Sequence, residues 1–479
     1  MTSPVETTSP DTEDVEPQDA RLLSEEQVTP VMEKMQIEEL VEEIRPSSAP
    51  RVIEVDSLVS WLVAVSCSWI MFWSLLVNRT SGLLYLSLKN EFNMTREEAA
   101  APMSMAGAIS NIFAMVSGLL LKKLPLPVVS SFGIVLTSIG VLLAGAIYTP
   151  IVITYSLGIL TAIGQSMIFP TNMVAVNTYF KKNRSTASGI SYMGGTLVSF
   201  FMPFAYEAME QSVGFRWTLL ITGALILNGV FGACVLRYPA QNTEKEPKDN
   251  NNVCDEENKT VAKSDAAPMP LSAQLAFIKR PIFLLIVVTG IVFAYELVLF
   301  NLTVVAFANE KDLAGKGPLF TLWFYAAGDA IGRLFSGQLS DRGVLRRRTV
   351  MALGYLLVSI ATFGLALSSH QIVFFLFCFL FGLAAGSIMI LFSVLLTEYL
   401  GLANLPLAIG VHCLINGLAA LPRPKLFKIL VKNETQHIAL YYFMALIAVA
   451  TAVVWGLHCL YMNIRKHFGR LRRHPRSVL

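Results

Sequence analysis

Long apolar runs alternate with short polar turns from about residue 58 to 463, and this pattern predicts an all-α membrane protein. The runs lie near 58–86, 98–121, 126–148, 151–178, 185–206, 217–237, 281–307, 318–340, 349–368, 371–397, 404–430 and 437–463, which predicts twelve spans. Each run is long enough, at about 1.5 Å per helical residue, to cross roughly 30 Å of hydrocarbon. The first run is interrupted by Asn78-Arg79-Thr80. Either it ends near Val77, or it continues through LLYLSL with Arg79 inside it. A polar stretch splits the runs six and six. The expected organisation is an acidic, mostly disordered arm (1–56), an N-terminal six-helix bundle (57–238), a linker (239–278), a C-terminal six-helix bundle (279–464) and a basic tail (465–479).

Composition agrees: 54% of residues are hydrophobic and only 15% charged, unlike a soluble domain. The charges are segregated. Residues 1–55 hold 14 acids and 4 bases, which marks a solvated arm. Lys122, Lys123, Lys181, Lys182, Arg184, Arg342, Arg346, Arg347 and Arg348 all fall in connections on one side, together with the bases of the linker and tail. The other side holds Lys89, Arg96, Arg216, Lys311, Lys316 and Lys432. The positive-inside bias therefore predicts both termini and the linker in the cytoplasm. The tail RKHFGRLRRHPR reads as a contact with anionic lipid or an anchor for the last helix. No phosphate loop, metal-ligand spacing or nucleophile–base arrangement is visible, so neither a cofactor nor an enzyme is expected, and nothing favours nucleic acid. The cysteines form no disulfide framework.

Charges inside the spans carry the functional reading. Asp329 and Arg333 sit in the middle of the eighth run, in FYAAGDAIGRLFSGQLSDRGVLRRR (324–348). Each alone costs about 2.5–3.5 kcal/mol at a bilayer centre on insertion scales, so ionisable residues there default to function. Their spacing of four places them on one helical face within reach of each other; the bland alternative is an inert ion pair that fixes packing. Glu296, in VFAYELVLF, is a second proton site, a substrate selector or a hydrogen-bonded packing residue. Arg423 and Lys425, flanked by Pro422 and Pro424, form an anion-attracting vestibule or mark a displaced helix end. His412, deep in an apolar stretch, reads as core packing. Glu398, closing the tenth run, reads as a partner for basic loops.

The turn GQLSDRGVLRRR resembles the G-x-x-x-D-R-x-G-R-R loop of the major facilitator superfamily. The resemblance implies that fold, with Asp341 and Arg342 in a cytoplasmic gate. The finer resemblance is to the monocarboxylate transporter family. YFKKNRSTASGISYMGG (179–195) matches the motif that opens that family's fifth helix at Tyr179, Phe180, Lys182, Arg184, Ala187, Gly189 and Gly194; Asn183 departs. The family's Asp-Gly-Gly-Trp-Gly-Trp signature is reduced to Asp56 and Trp61 in DSLVSW. Gly328, Asp329, Gly332, Arg333 and Gly337 resemble the family's eighth-helix pattern. Counting on from Trp61, Arg79 falls where members carry a functional base; without the resemblance, a snorkelling arginine serves equally.

The resemblance implies a secondary-active transporter at the plasma membrane that carries a small monocarboxylate together with a proton by alternating access. Arg333 and Arg79 would bind the anion and Asp329 the proton. It also brings in a single-span immunoglobulin-like accessory partner, to which no feature of this chain ties. Two rivals remain open at this point. One is a proton-independent uniporter of an amino acid or related solute, as in some relatives; the other is a non-transporting membrane scaffold or sensor.

Overall fold

The structure, a computed structural model, describes residues 55–236, 275–311, 318–430 and 437–473. Most of the acidic arm and the linker, and the end of the basic tail, lie outside the described residues. Among the described residues the chain is helical, with no strand. The principal helices are α1 (Leu58–Ser74), α2 (Leu76–Arg79), α3 (Ser81–Phe92), α4 (Arg96–Leu120), α5 (Leu126–Ala146), α6 (Pro150–Tyr179), α7 (Arg184–Val213) and α8 (Phe215–Val235). After the linker come α9 (Pro281–Glu310), α10 (Pro318–Asp341), α11 (Arg347–Leu367), α12 (Gln371–Leu400), α13 (Leu405–Ala420), α14 (Arg423–Leu430) and α15 (Ile438–Arg473). Eight helices among the described residues are long and apolar enough to cross a membrane, and α1 and α13 are shorter apolar helices. Large apolar side chains such as Leu58, Ile151, Phe231, Phe335 and Leu446 point outwards, as a lipid-facing surface requires.

Two departures from the expected runs matter for the site. The chain stays helical from Leu58 to Phe92 but breaks at Leu75 and again at Thr80. Arg79 is therefore the last residue of a short helical segment, and the chain continues as helix through LLYLSL, the second of the two expected alternatives. The buried Thr80 hydroxyl returns to the Leu76 carbonyl at 3.0 Å and occupies the backbone at that break. The eleventh run is also divided: α13 ends at Ala420 and α14 starts at Arg423. Pro422 and Pro424 flank that point, and a proline interior to a helix removes a backbone donor and clashes with the preceding turn.

Helices before and after the linker are pressed together at the end that carries the basic loops. There α10 packs on α7, and α4 on α13. A Cβ on Gly118 of α4 would meet the Pro406 backbone, one on Gly410 the backbone of Met115 at 2.9 Å, and one on Gly417 the Asn111 side chain at 2.8 Å. Further along α4, Gly107 faces open space. Small residues thus permit close backbone approach on one side of the middle, where the hydrophobic effect alone gives helices in lipid no reason to associate.

Candidate functional site

The centre of the site is α10, held between α7 and α12. Gly328 and Gly332 of α10 lie against the backbone of Phe379 and Leu383, while Gly382 and Gly386 of α12 lie against the backbone of Tyr325 and Asp329. Two small-x-x-x-small pairs therefore interlock, each leaving no room for a side chain. On the opposite side a Cβ on Gly189 of α7 would strike the Arg333 carbonyl. This double clasp fixes the backbone that carries Asp329 and Arg333.

The two side chains form the ion pair that their spacing predicts. Arg333 Nε donates to Asp329 Oδ2 at 2.8 Å, and the residues are only 6% and 4% exposed. The same carboxylate oxygen accepts from the Thr196 hydroxyl of α7 at 2.7 Å. Arg333 Nη1 donates to the Tyr192 carbonyl, also on α7, at 3.4 Å, and the guanidinium carbon lies 5.6 Å from the centre of the Tyr192 ring. The pair thus binds an element from the other side of the linker at both its ends. Two guanidinium N–H groups are engaged in these contacts.

Arg79 is exposed, at the end of α2. Among the described residues no hydrogen bond or ion pair joins it to Asp329 or Arg333. Its neighbour Asn78 joins Gln165 of α6 through Nδ2 to Oε1 at 3.0 Å, with the return bond at 3.3 Å. These amides line a cavity of about 190 Å³ together with Ser81, Ser110, Pro102 and Leu157, among others. Asp329 and Arg333 are not among its lining residues.

Glu296 lies elsewhere. It is 3% exposed, and its Oε2 has no hydrogen-bond partner. Helical phase puts it on the same face as Thr289, whose carbonyl accepts from the Tyr355 hydroxyl at 2.6 Å. No ion pair joins it to Arg333 among the described residues. His412 packs its ring over Gly290 and against Phe392 (centroids 5.5 Å), and Asn416 meets its Nε2 at 3.1 Å. Arg423 stacks over Tyr295, 4.9 Å from the ring centre, beyond the break in the helix; Lys425 is exposed on α14.

At the basic-loop end two carboxylates hold one segment of chain. Asp341, the last residue of α10, accepts from the backbone N–H groups of Ser185 (3.3 Å) and Thr186 (2.7 Å) at the start of α7. Arg347 pairs with it at 3.2 Å and with Glu398 at 3.5 Å, while Arg342 is exposed. Asp56 accepts from the backbone N–H groups of Lys181 (3.1 Å), Lys182 (2.9 Å) and Asn183 (3.1 Å) on the preceding turn. Trp61 sets its edge against Phe180, centroids 4.9 Å apart. The two remnants of the DSLVSW signature therefore meet the Tyr179–Arg184 motif.

Other participants went unread in the sequence. Gly382 and Gly386 carried a signal, the small-x-x-x-small spacing. Thr196 and Tyr192 carried none, since hydroxyl-bearing residues are common in these helices. Asn78 and Gln165 are 87 residues apart, and neither is unusual alone.

The Major Facilitator Superfamily profile matches residues 61–424 and 321–466. Similar proteins include human "Monocarboxylate transporter 12", 21% identical over 420 residues, which cover 85% of this chain and 81% of that one. "Monocarboxylate transporter 13" of Rattus norvegicus is 26% identical over 372 residues, covering 75% and 80%. Among solved structures, the Major Facilitator Superfamily transporter FucP in its outward conformation aligns with a TM-score of 0.61 at 15% identity, over 83% of this chain and 99% of that one. The human organic anion transporter MFSD10 aligns with a TM-score of 0.59 at 12% identity, over 82% and 98%.

Proposed function

This chain belongs to the Major Facilitator Superfamily, whose members are multi-pass membrane transporters rather than enzymes, and we propose that it carries a small monocarboxylate together with a proton across the plasma membrane. The observation that carries this reading is the buried Asp329–Arg333 pair, with Thr196 on the same carboxylate oxygen. The names of its relatives favour a monocarboxylate as the solute.

In this reading twelve spans form two six-helix bundles that rock about the pair, and the termini lie in the cytoplasm, as the basic loops require. The ionised Asp329 holds Arg333. Protonation of Asp329 weakens its claim on the guanidinium, and the substrate's carboxylate takes the freed donors in a planar, charge-assisted contact. Proton and anion then enter with no added net charge, which lowers the cost of moving the loaded site through a low-dielectric state. Arg79, exposed at the end of α2, attracts the anion from the first bundle. Asp341 serves as the cytoplasmic gate, a role supported by its hold on the start of α7 and on Arg347.

Uptake of labelled lactate and pyruvate into vesicles containing the purified protein tests this. Uptake should rise as the external medium is acidified, and Asp329→Asn should remove the rise. A full pH response in Asp329→Asn would refute the proton role. Uptake of an uncharged or zwitterionic solute alone, with no pH effect, would make the protein a uniporter.

A further inference from the structure

Among the described residues, four buried hydroxyls along the contact between α7 and α10 have no hydrogen-bond partner. Ser185, Ser188 and Tyr192 of α7 and Ser340 of α10 are at most 8% exposed, and their hydroxyl oxygens are sealed from water and unbonded. Ser185, Ser188 and Tyr192 recur at spacings of three and four, so they follow one side of α7. Helix α10 lies along that side: a Cβ on Gly189 would strike the Arg333 carbonyl, and one on Gly337 would meet the Ser185 carbonyl. Ser340 shares a helical face with Arg333 and Gly337, which places it in the same contact. The file of hydroxyls runs from the basic-loop end, where Asp341 accepts from Ser185 N, to the ion pair, where Arg333 lies over the Tyr192 ring.

Serine and threonine hydroxyls in these helices commonly turn back onto their own backbone. Ser74 donates to the Ile70 carbonyl at 2.6 Å, Thr303 to Leu299 at 2.8 Å, and Ser336, in α10 itself, to Gly332 at 2.5 Å. Ser188 and Ser340 have the same option one turn back and do not take it. A polar group sealed from water without a partner loses its hydration and gains nothing in exchange. Each of the four therefore raises the free energy of the arrangement in which α7 and α10 touch. The close-set glycines and the Asp341 cap act in the opposite sense. When the two helices part, water restores the missing hydrogen bonds together.

From this opposition we infer that Ser185, Ser188, Tyr192 and Ser340 poise the α7–α10 contact for opening, and that water entering along them from the basic-loop side forms the route by which solute leaves the Asp329–Arg333 pair. Tyr192 ends the file at Arg333, so a route hydrated as far as Tyr192 reaches the pair. The inference rests on the alternating-access reading above. It adds what keeps the closed contact from being too stable to leave.

The alternative is that the hydroxyls only fill space. Full-length Thr186→Cys protein in membrane vesicles separates the two, since the backbone N–H at that position is held by Asp341. A membrane-impermeant thiol reagent is applied on the basic-loop side, and labelling is measured against protein that keeps Thr186. Ser188→Ala, Ser340→Ala and Tyr192→Phe each relieve the closed contact of one sealed hydroxyl and deprive the open one of a hydrated hydroxyl. Each should slow labelling by about five- to 150-fold. Ser188→Ala with Ser340→Ala should slow it by the product of the two single effects. Ser336→Ala deletes a hydroxyl already bonded within its own helix and should leave the rate close to the original. The three slowing variants should also melt at a higher temperature in detergent, where a space-filling role lowers it. Three separate positions keep the test open if one variant does not fold. Unchanged or faster labelling in the folded variants overturns the inference, as does equal slowing in Ser336→Ala. Absence of labelling in protein that transports solute overturns the inference alone. Neither labelling nor transport of any solute, by protein shown to be inserted, overturns the alternating-access reading and the inference with it.

Discussion

Replacing Thr196 by Val probes the link between proton and protein movement most cleanly. The change keeps the branched shape and removes only the hydroxyl that donates to Asp329 Oδ2 at 2.7 Å. A buried hydrogen bond to a charged group contributes about 1.5–3 kcal/mol. In the proposed cycle it is made to the ionised carboxylate, so its loss favours proton binding, and the external pH of half-maximal uptake should move upward. The assay is uptake of labelled carboxylate over a range of external pH by Thr196→Val, with Thr196→Ser as the variant that keeps the hydroxyl. Thr196→Ser should restore a midpoint close to the original. A purely packing role for Thr196 would alter the rate and leave the midpoint in place. An unmoved midpoint in folded Thr196→Val would refute the argument that this hydroxyl stabilises the ionised form.

Other substitutions test neighbouring parts of the account. Arg333→Lys keeps the charge but loses the planar fork that spans Asp329 and the Tyr192 carbonyl; carboxylate uptake should fall at least about tenfold, and unchanged kinetics would remove Arg333 from the binding role. Gly386→Val places a side chain against the Asp329 carbonyl. It should destabilise the α10–α12 contact by about 1–3 kcal/mol or more, read as a lower melting temperature in detergent, and an unchanged melt would show that the contact yields freely. Asp341→Ala removes the acceptor for Ser185 N and Thr186 N as well as the Arg347 pair. Loss of such a helix cap costs about 0.5–2 kcal/mol. A cysteine introduced at Thr186 should then react faster with a cytoplasmic thiol reagent, and an unaltered rate would argue against the gate.

The parts of the site that could be read from the chain are those written within one helix. Asp329 and Arg333 announce themselves because two charges four residues apart in an apolar run have few uses other than each other and a ligand. Gly328 and Gly332 were equally legible as a place of close approach. What the chain hides is anything assembled from distant segments. Thr196 is one of many hydroxyls, and only the fold shows that it bonds Asp329 across 133 positions. The Asn78–Gln165 pair is hidden for the same reason. The break between α13 and α14 lay between those cases. Pro422 and Pro424 stand in the sequence and raise a displaced helix end as one alternative, while the run 404–430 spans them. The placement of Arg79 turned on whether the chain could bend and stay helical, which hydropathy alone does not say.

In the proposed cycle carboxylate and proton move together through Asp329. The direct measurement imposes a carboxylate gradient on protein-containing vesicles with equal pH on both sides and follows an internal pH dye. The account predicts acidification of the lumen as the carboxylate enters, faster than in empty vesicles and reduced to their rate in Asp329→Asn. Carboxylate entry through the protein with no change in internal pH beyond that of empty vesicles would contradict it.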